Sequence, residues 1–138
     1  MKEIRTVGVV ALDGNKVLLV KNGITSSHKT GMYGLPAGKI DTDETEKQAA
    51  VREFHEETGL TTTEANLLPF EEPYHAVIEQ KDGEKLFVWF VFLCYAYVGT
   101  LVGTDETIPE WVEISNLPNL KLLPNVQNAI EQAIKLSK

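Results

Sequence analysis

Short apolar runs, punctuated by Gly, Asp, Asn and Pro, dominate the chain, and that rhythm predicts strands more than helices. Ile4–Leu12 is Val-rich and stops at Asp13-Gly14-Asn15. Lys16–Lys21 (KVLLVK) resumes it, so the two predict a β-hairpin. Asn22–Met32 is a polar, Gly-containing loop. Leu67–Phe70 predicts a short strand. Tyr74–Gln80 and Lys85–Val98 flank Lys81-Asp82-Gly83-Glu84 and predict a second hairpin. The run KLFVWFVFLCYAYV is apolar on both faces, as in a central strand covered from both sides. Its aromatics Trp89, Phe90, Phe92 and Tyr95 are expected in the core, with one or two lining a pocket. Gly99–Pro109 reads as a loop, Glu110–Ile114 as the last strand, and Ser115–Leu117 as a turn or short helix. Asn125–Leu136 has helical periodicity, with Pro124 suited to N1 and Val126, Ile130, Ala133 and Ile134 on one face. That helix should cover the sheet face opposite the other helix.

The other helix lies in Gly38–Leu60, GKIDTDETEKQAAVREFHEETGL. Thr45 suits the N-cap, Gln48 the reciprocal capping-box position, and Gly59 the left-handed residue that ends the helix. At about 100° per residue, Glu53, Glu56 and Glu57 share one stripe flanked by Arg52. Ala50, Val51 and Phe54 lie on another side and can face a core, while Gln48 and His55 point away from both. Clustered carboxylates repel one another unless something cationic sits among them. Hard oxygen donors without His or Cys suit magnesium, manganese or calcium rather than zinc. A solvated acidic helix face is the other reading of the same pattern.

Charge sharpens the choice. The chain has a net charge of −7, which argues against a broad nucleic-acid-binding surface. A polyphosphate would be repelled as well, unless divalent cations screened it. With 138 residues, the chain fits one domain spanning residues 1–138, without internal repeats or linkers. Its one cysteine, Cys94, sits in an apolar run, where it reads as a small buried hydrophobe rather than a catalytic thiol. The N-terminal apolar run is too short for a signal peptide, and Leu86–Val98 is too short to span a bilayer. The expectation is a cytoplasmic protein that neither enters membranes nor binds nucleic acid, as a monomer or homodimer.

Gly38, five residues, Glu44, seven residues, Arg52-Glu53-Phe54, one residue, Glu56-Glu57, one residue and Gly59-Leu60 together resemble the Nudix box without a gap or substitution. The flank Tyr33-Gly34-Leu35-Pro36-Ala37 is also similar to the family's aromatic residue followed by Leu-Pro-Gly or Leu-Pro-Ala. A mild departure is Asp43, where the family commonly has Gly before the box Glu. The resemblance implies a Nudix α/β/α sandwich, an α/β fold with a mixed β-sheet between helices. It implies hydrolysis of a diphosphate bond in a nucleoside diphosphate linked to another group, with Mg²⁺ or Mn²⁺. Under it, Glu53, Glu56 and Glu57 bind metal, and Glu53 is also the candidate general base. Arg52 holds a box carboxylate in place, and Glu44 is an auxiliary candidate. Gly38 shapes the loop and Gly59 stops the helix. The Ala37 carbonyl is a further metal ligand. Some family members add a carboxylate from a loop before the last strand, for which Glu106 is the first choice here, ahead of Asp105 and Glu110.

Substrate recognition is expected from Asn125, Lys29 and Tyr33, with His28 a weaker candidate. Leu123-Pro124-Asn125 resembles the MutT branch, which cleaves nucleoside triphosphates, oxidised purine forms included, to monophosphate and pyrophosphate. Asn125 would there read a purine edge, or else simply start a helix. Leu35-Pro36-Ala37-Gly38 is similar to ADP-ribose pyrophosphatases as well. A non-catalytic nucleotide sensor is the reading from another class, and the intact box weighs against it. An acidic interaction helix without metal would show no change of melting temperature with Mg²⁺ or Mn²⁺. Glu53→Gln is expected to keep the fold and lower turnover on the order of 10²–10⁴-fold, and near-normal activity would remove Glu53 from the mechanism.

Overall fold

The computed structural model describes residues 1–23 and 31–138. Its spine is strand β1 (Lys2–Asp13), long enough to serve several partners. Along most of its length β1 runs parallel to β7 (Gly83–Cys94), from Lys2↔Lys85 to Ala11↔Cys94. On its other edge, Thr6, Val7 and Gly8 pair with Lys39, Gly38 and Ala37 of the short strand β4 (Ala37–Lys39). The β1 tip meets β2 (Lys16–Asn22) only at Leu12↔Val17 and Asp13↔Lys16. The expected first hairpin is therefore present at its turn, where Gly14 has φ +59°, but the strands then diverge. β2 continues beside β8 (Thr107–Glu113) and the two-residue β3 (Tyr33–Gly34). The outer flank of β7 is taken by β5 (Leu67–Pro69) and β6 (Tyr74–Gln80), the latter forming the expected second hairpin.

Strand alternation divides the apolar side chains into two cores. Val7, Val9 and Ala11 of β1, Leu18 of β2, and Phe92 and Cys94 of β7 face helix α1 (Glu46–Thr58). Val10 of β1, Val17 and Leu19 of β2, and Val91 and Leu93 of β7 face helix α2 (Val126–Leu136). The period of two makes this division inevitable once the strands are two-sided. The result is the expected mixed sheet between helices, with α1 and α2 on opposite faces.

α1 is bounded as its sequence predicts. The Thr45 side chain accepts from the Gln48 N–H, and the Gln48 side chain accepts from the Thr45 N–H. Gly59 ends the helix at φ 84° and donates to the His55 carbonyl at 2.8 Å. A side chain there would also strike the Thr100 carbonyl, at 2.7 Å from an added Cβ. Ala49, Ala50 and Phe54 are buried, Val51 packs beside them, and His55 is exposed.

Four expectations need correction. β7 ends at Cys94 rather than Val98, because Tyr95 leaves the sheet. Tyr95 is 60% exposed, and its hydroxyl donates to the Ala65 carbonyl, so it is not a core residue. β8 starts at Thr107, earlier than the expected Glu110, through pairing with β2. Pro124 does not occupy N1. Asn125 is the N-cap at φ 68°, the only non-glycine residue at positive φ among those described, and α2 begins after it. Asn tolerates that region better than most residues.

Phe54 is fully buried beneath α1. Phe54→Ala is expected to cost about 3–5 kcal/mol, read as a lowered urea midpoint with an unchanged slope. Thr45→Ala should cost only about 1 kcal/mol.

Candidate active site

Arg52, midway along α1, collects the acidic residues of the loop that precedes it. Its Nε and Nη2 donate to the two Glu44 carboxylate oxygens at 2.6 and 2.7 Å, a bidentate pair. Nη1 donates to Glu53 Oε1 at 2.5 Å and to Glu56 Oε2 at 3.2 Å. Nη2 also reaches the Lys39 carbonyl at 3.0 Å and lies 3.5 Å from Asp41. Glu44 additionally accepts from the Asp41 N–H, so both of its oxygens are engaged. The Arg52 pair holds the Glu44 carboxyl down at about 2. Glu44 is thus an anchor of the loop rather than a free ligand. Asp43, the departure from the box pattern, is exposed and needs no positive φ.

The loop side of the cluster is shaped by β4. The Ala37 N–H donates to Glu57 Oε1 at 2.7 Å. A Cβ added to Gly38 would overlap the Glu53 carboxylate, so only glycine lets that carboxylate lie against the strand. Ala37 carries its methyl group without a positive φ. Burial pushes the Glu57 carboxyl up to about 7, against the opposing Ala37 hydrogen bond, with Glu53, Glu56 and Glu106 adding repulsion. Burial also raises Glu53, although the Arg52 bond pulls the other way.

Glu53, Glu56 and Glu106 thus each repel the Glu57 carboxylate, and Glu53 and Glu56 share the Arg52 guanidinium. Among the described residues, no three His, Cys, Asp or Glu side chains already stand together as a metal-holding group. The donor chemistry nevertheless fits Mg²⁺ or Mn²⁺: all carboxylate, no thiolate or imidazole, and a Glu57 whose ionisation is disfavoured without a cation. Such ions would be held by Glu53, Glu56 and Glu57.

Of the three downstream acids, Glu106 is the one that acts on Glu57 electrostatically. Glu110 sits opposite Leu19, whose side chain faces the α2 core. There Glu110 accepts a hydrogen bond from the Tyr33 phenol, which pushes that group up to about 12. Lys21 lies 5.9 Å from the centre of the Tyr33 ring. Tyr33 and Glu110 thus occupy a groove with Trp111 and Asn116, apart from Asn125.

Asn125 opens onto a cavity of about 270 Å³ that Ala37, Gly38 and Lys39 connect to the carboxylates. Phe87, Trp89, Ala76 and Ile78 line its sheet side, and Leu123, Pro124 and Val126 line its helix side. The Asn125 side chain makes no capping bond. Its amide donates to the His75 carbonyl at 3.4 Å. Trp89 lies over Gly8, where a Cβ would meet the indole at 2.7 Å, and tilts against Tyr74 with ring centres 6.1 Å apart. Phe90 and Phe92 are on the other face, Phe90 beneath Arg5 at 5.1 Å. Lys29 and His28 lie outside the described residues. Lys39 and Phe87 were not singled out from sequence; alternation from Trp89 would have found Phe87, whereas Lys39 carried no signal beyond its place beside Gly38.

Cys94 is 1% exposed, and its thiol points to Thr62 and the Ala96 carbonyl. Burial raises its pKa, which fits a packing role.

A NUDIX domain profile matches residues 2–133, and the chain belongs to that family of pyrophosphohydrolases. It is 33% identical over 118 residues to the ADP-ribose pyrophosphatase of Methanocaldococcus jannaschii, a match spanning 80% of this chain and 65% of that protein. It is 27% identical over 121 residues to the 8-oxo-dGTP diphosphatase of Escherichia coli, spanning 85% of each. The crystal structure of MutT protein from Methanosarcina mazei superimposes with a TM-score of 0.72 at 25% identity, covering 99% of this chain and 96% of that one. No described helix is long and apolar enough to cross a membrane.

The raised Glu57 pKa has a definite sign. The protonated form contributes stability in full below about pH 4.5, and that contribution is lost as pH rises through about 7. Glu57→Gln keeps the acceptor for the Ala37 N–H and removes the titration. In chelator, its melting temperature relative to the wild type should rise between about pH 5 and about pH 8. A pH-independent difference would contradict this assignment.

Proposed function

We propose that the chain hydrolyses a diphosphate bond in a nucleoside diphosphate linked to another group, most readily a nucleoside triphosphate, oxidised purine forms included, giving monophosphate and pyrophosphate. The observation that carries this reading is the continuity from the Arg52-organised carboxylates, across Gly38, to the cavity holding Asn125 and Trp89. Phosphates and base are thereby accommodated side by side on one short strand. The cytoplasm remains the expected setting.

The base enters between Trp89 and Leu123, where Asn125 offers an amide to its edge. The phosphates pass Gly38, whose missing side chain lets the Glu53 carboxylate lie against β4. Arg52 holds Glu53 so that its free oxygen orients or deprotonates the attacking water. Glu57 is fixed by Ala37, and Glu56 completes the acidic lining. Divalent ions, when bound, neutralise the phosphate oxygens and acidify coordinated water.

The second reading, ADP-ribose, is favoured by the likeness to the M. jannaschii protein. A panel of dNTPs, oxidised dNTPs, ADP-ribose, dinucleoside polyphosphates and nucleotide sugars, run with Mg²⁺ or Mn²⁺, separates the two. Pyrophosphate from a triphosphate supports the first reading, and AMP with ribose phosphate the second. Binding across the panel without turnover would sink both in favour of a sensor. Asn125→Gly keeps the positive-φ backbone and deletes the amide. It is expected to raise KM about tenfold for the preferred nucleotide, one hydrogen bond's worth, with a smaller effect on kcat.

A further inference from the structure

Glu106 sits on a loop anchored, among the described residues, by several backbone hydrogen bonds. Val102 N–H donates to the Thr58 carbonyl at 2.8 Å, which lays the loop across the end of α1, one residue beyond Glu57. Thr104 then closes a tight turn. Its hydroxyl accepts from the N–H groups of Glu106 and Thr107 at 3.2 and 3.1 Å, and its own N–H donates to the Thr107 carbonyl at 2.8 Å. Finally, the Gly23 N–H donates to the Glu106 carbonyl at 2.7 Å. Both backbone polar groups of Glu106 are therefore committed, one to Thr104 and one to Gly23.

Gly23 is buried at the end of β2, and its role is steric as well as polar. A Cβ there would overlap the Asp105 carbonyl and lie 3.3 Å from the Glu106 carbonyl oxygen. Both are backbone atoms, so no rotamer relieves the overlap. Any side chain at residue 23 must push the Asp105–Glu106 backbone away from β2. The requirement comes from contact, since Gly23 has no positive φ.

We infer that Gly23 and Thr104 are positioning residues, which together hold the Glu106 carboxylate beside the last turn of α1 so that it serves the same divalent-cation site as Glu57. The Val102–Thr58 hydrogen bond holds the loop against that turn, one residue beyond Glu57. The inference rests on the proposed metal-dependent reading of the box.

The test measures Mn²⁺ affinity by electron paramagnetic resonance and, in parallel, the Mg²⁺ concentration for half-maximal turnover. Glu106→Gln, Gly23→Ala and Thr104→Val are each expected to weaken Mn²⁺ binding about tenfold, the lower end for groups that orient a ligand. Thr104→Ser keeps the accepting hydroxyl and should bind like the wild type. Gly23→Ala combined with Glu106→Gln should be no weaker than Glu106→Gln alone, since the glycine acts through that carboxylate. If Glu106→Gln weakens binding while both Gly23→Ala and Thr104→Val leave it unchanged, the positioning role falls and the metal reading stands. Additive losses in the double variant would likewise overturn it, as a merely structural glycine predicts. If Glu106→Gln changes nothing, the assignment of Glu106 to the metal site fails, and the positioning role fails with it. Should Gly23→Ala not fold, the contrast between Thr104→Val and Thr104→Ser decides alone: equal affinities for the two overturn the inference.

Discussion

One guanidinium governs the acidic loop and helix. Without Arg52, Glu44, Glu53, Glu56 and Asp41 would face one another with no counter-charge among them. Its planar fork holds Glu44 with two donors and leaves a third for Glu53 and Glu56. A lysine would offer one point charge in place of that fork. The arrangement spends one carboxylate, Glu44, on structure, holds Glu53 half-buried and leaves Glu56 exposed. Burial raises the Glu57 carboxyl, and repulsion from Glu53, Glu56 and Glu106 adds to it.

β4 is the narrow connection between chemistry and recognition. Three of its features act together: the Ala37 N–H on Glu57, the bare Cα of Gly38 against Glu53, and the Lys39 carbonyl on Arg52. The strand is itself held by β1 at Thr6–Gly8, directly beside Trp89 on β7. Under the proposed function, the distance between the base and the attacked phosphate is set by hydrogen-bonded sheet. Rigid placement of this kind is what a positioned nucleophile requires.

Local signals in the sequence were reliable where the chemistry is local. Thr45, Gln48 and Gly59 bound α1 because caps depend on residues within one turn. The two-core sheet followed from alternation in β1, β2 and β7. The signals failed where a boundary depends on distant partners. Tyr95 looks like a continuation of an apolar strand, yet no strand pairs with it, and it turns out to bond Ala65. Tyr33 and Glu110, seventy-odd residues apart, meet only because both flank β2.

From sequence alone, 3.6-residue periodicity set Glu53, Glu56 and Glu57 on one stripe of a helix, and the resemblance of Gly38–Leu60 to the Nudix box implied the reaction class. The sequence also determined where that helix starts and stops. Only the tertiary structure decided that Glu110 bonds Tyr33 on the α2 side while Glu106 acts on Glu57 electrostatically, and that Trp89 rather than Phe90 faces the Asn125 cavity. Both outcomes turn on which face of a strand a side chain takes and which loop folds over a helix end. Those are set by pairing register and by contacts such as Val102 with Thr58, and no local pattern encodes them.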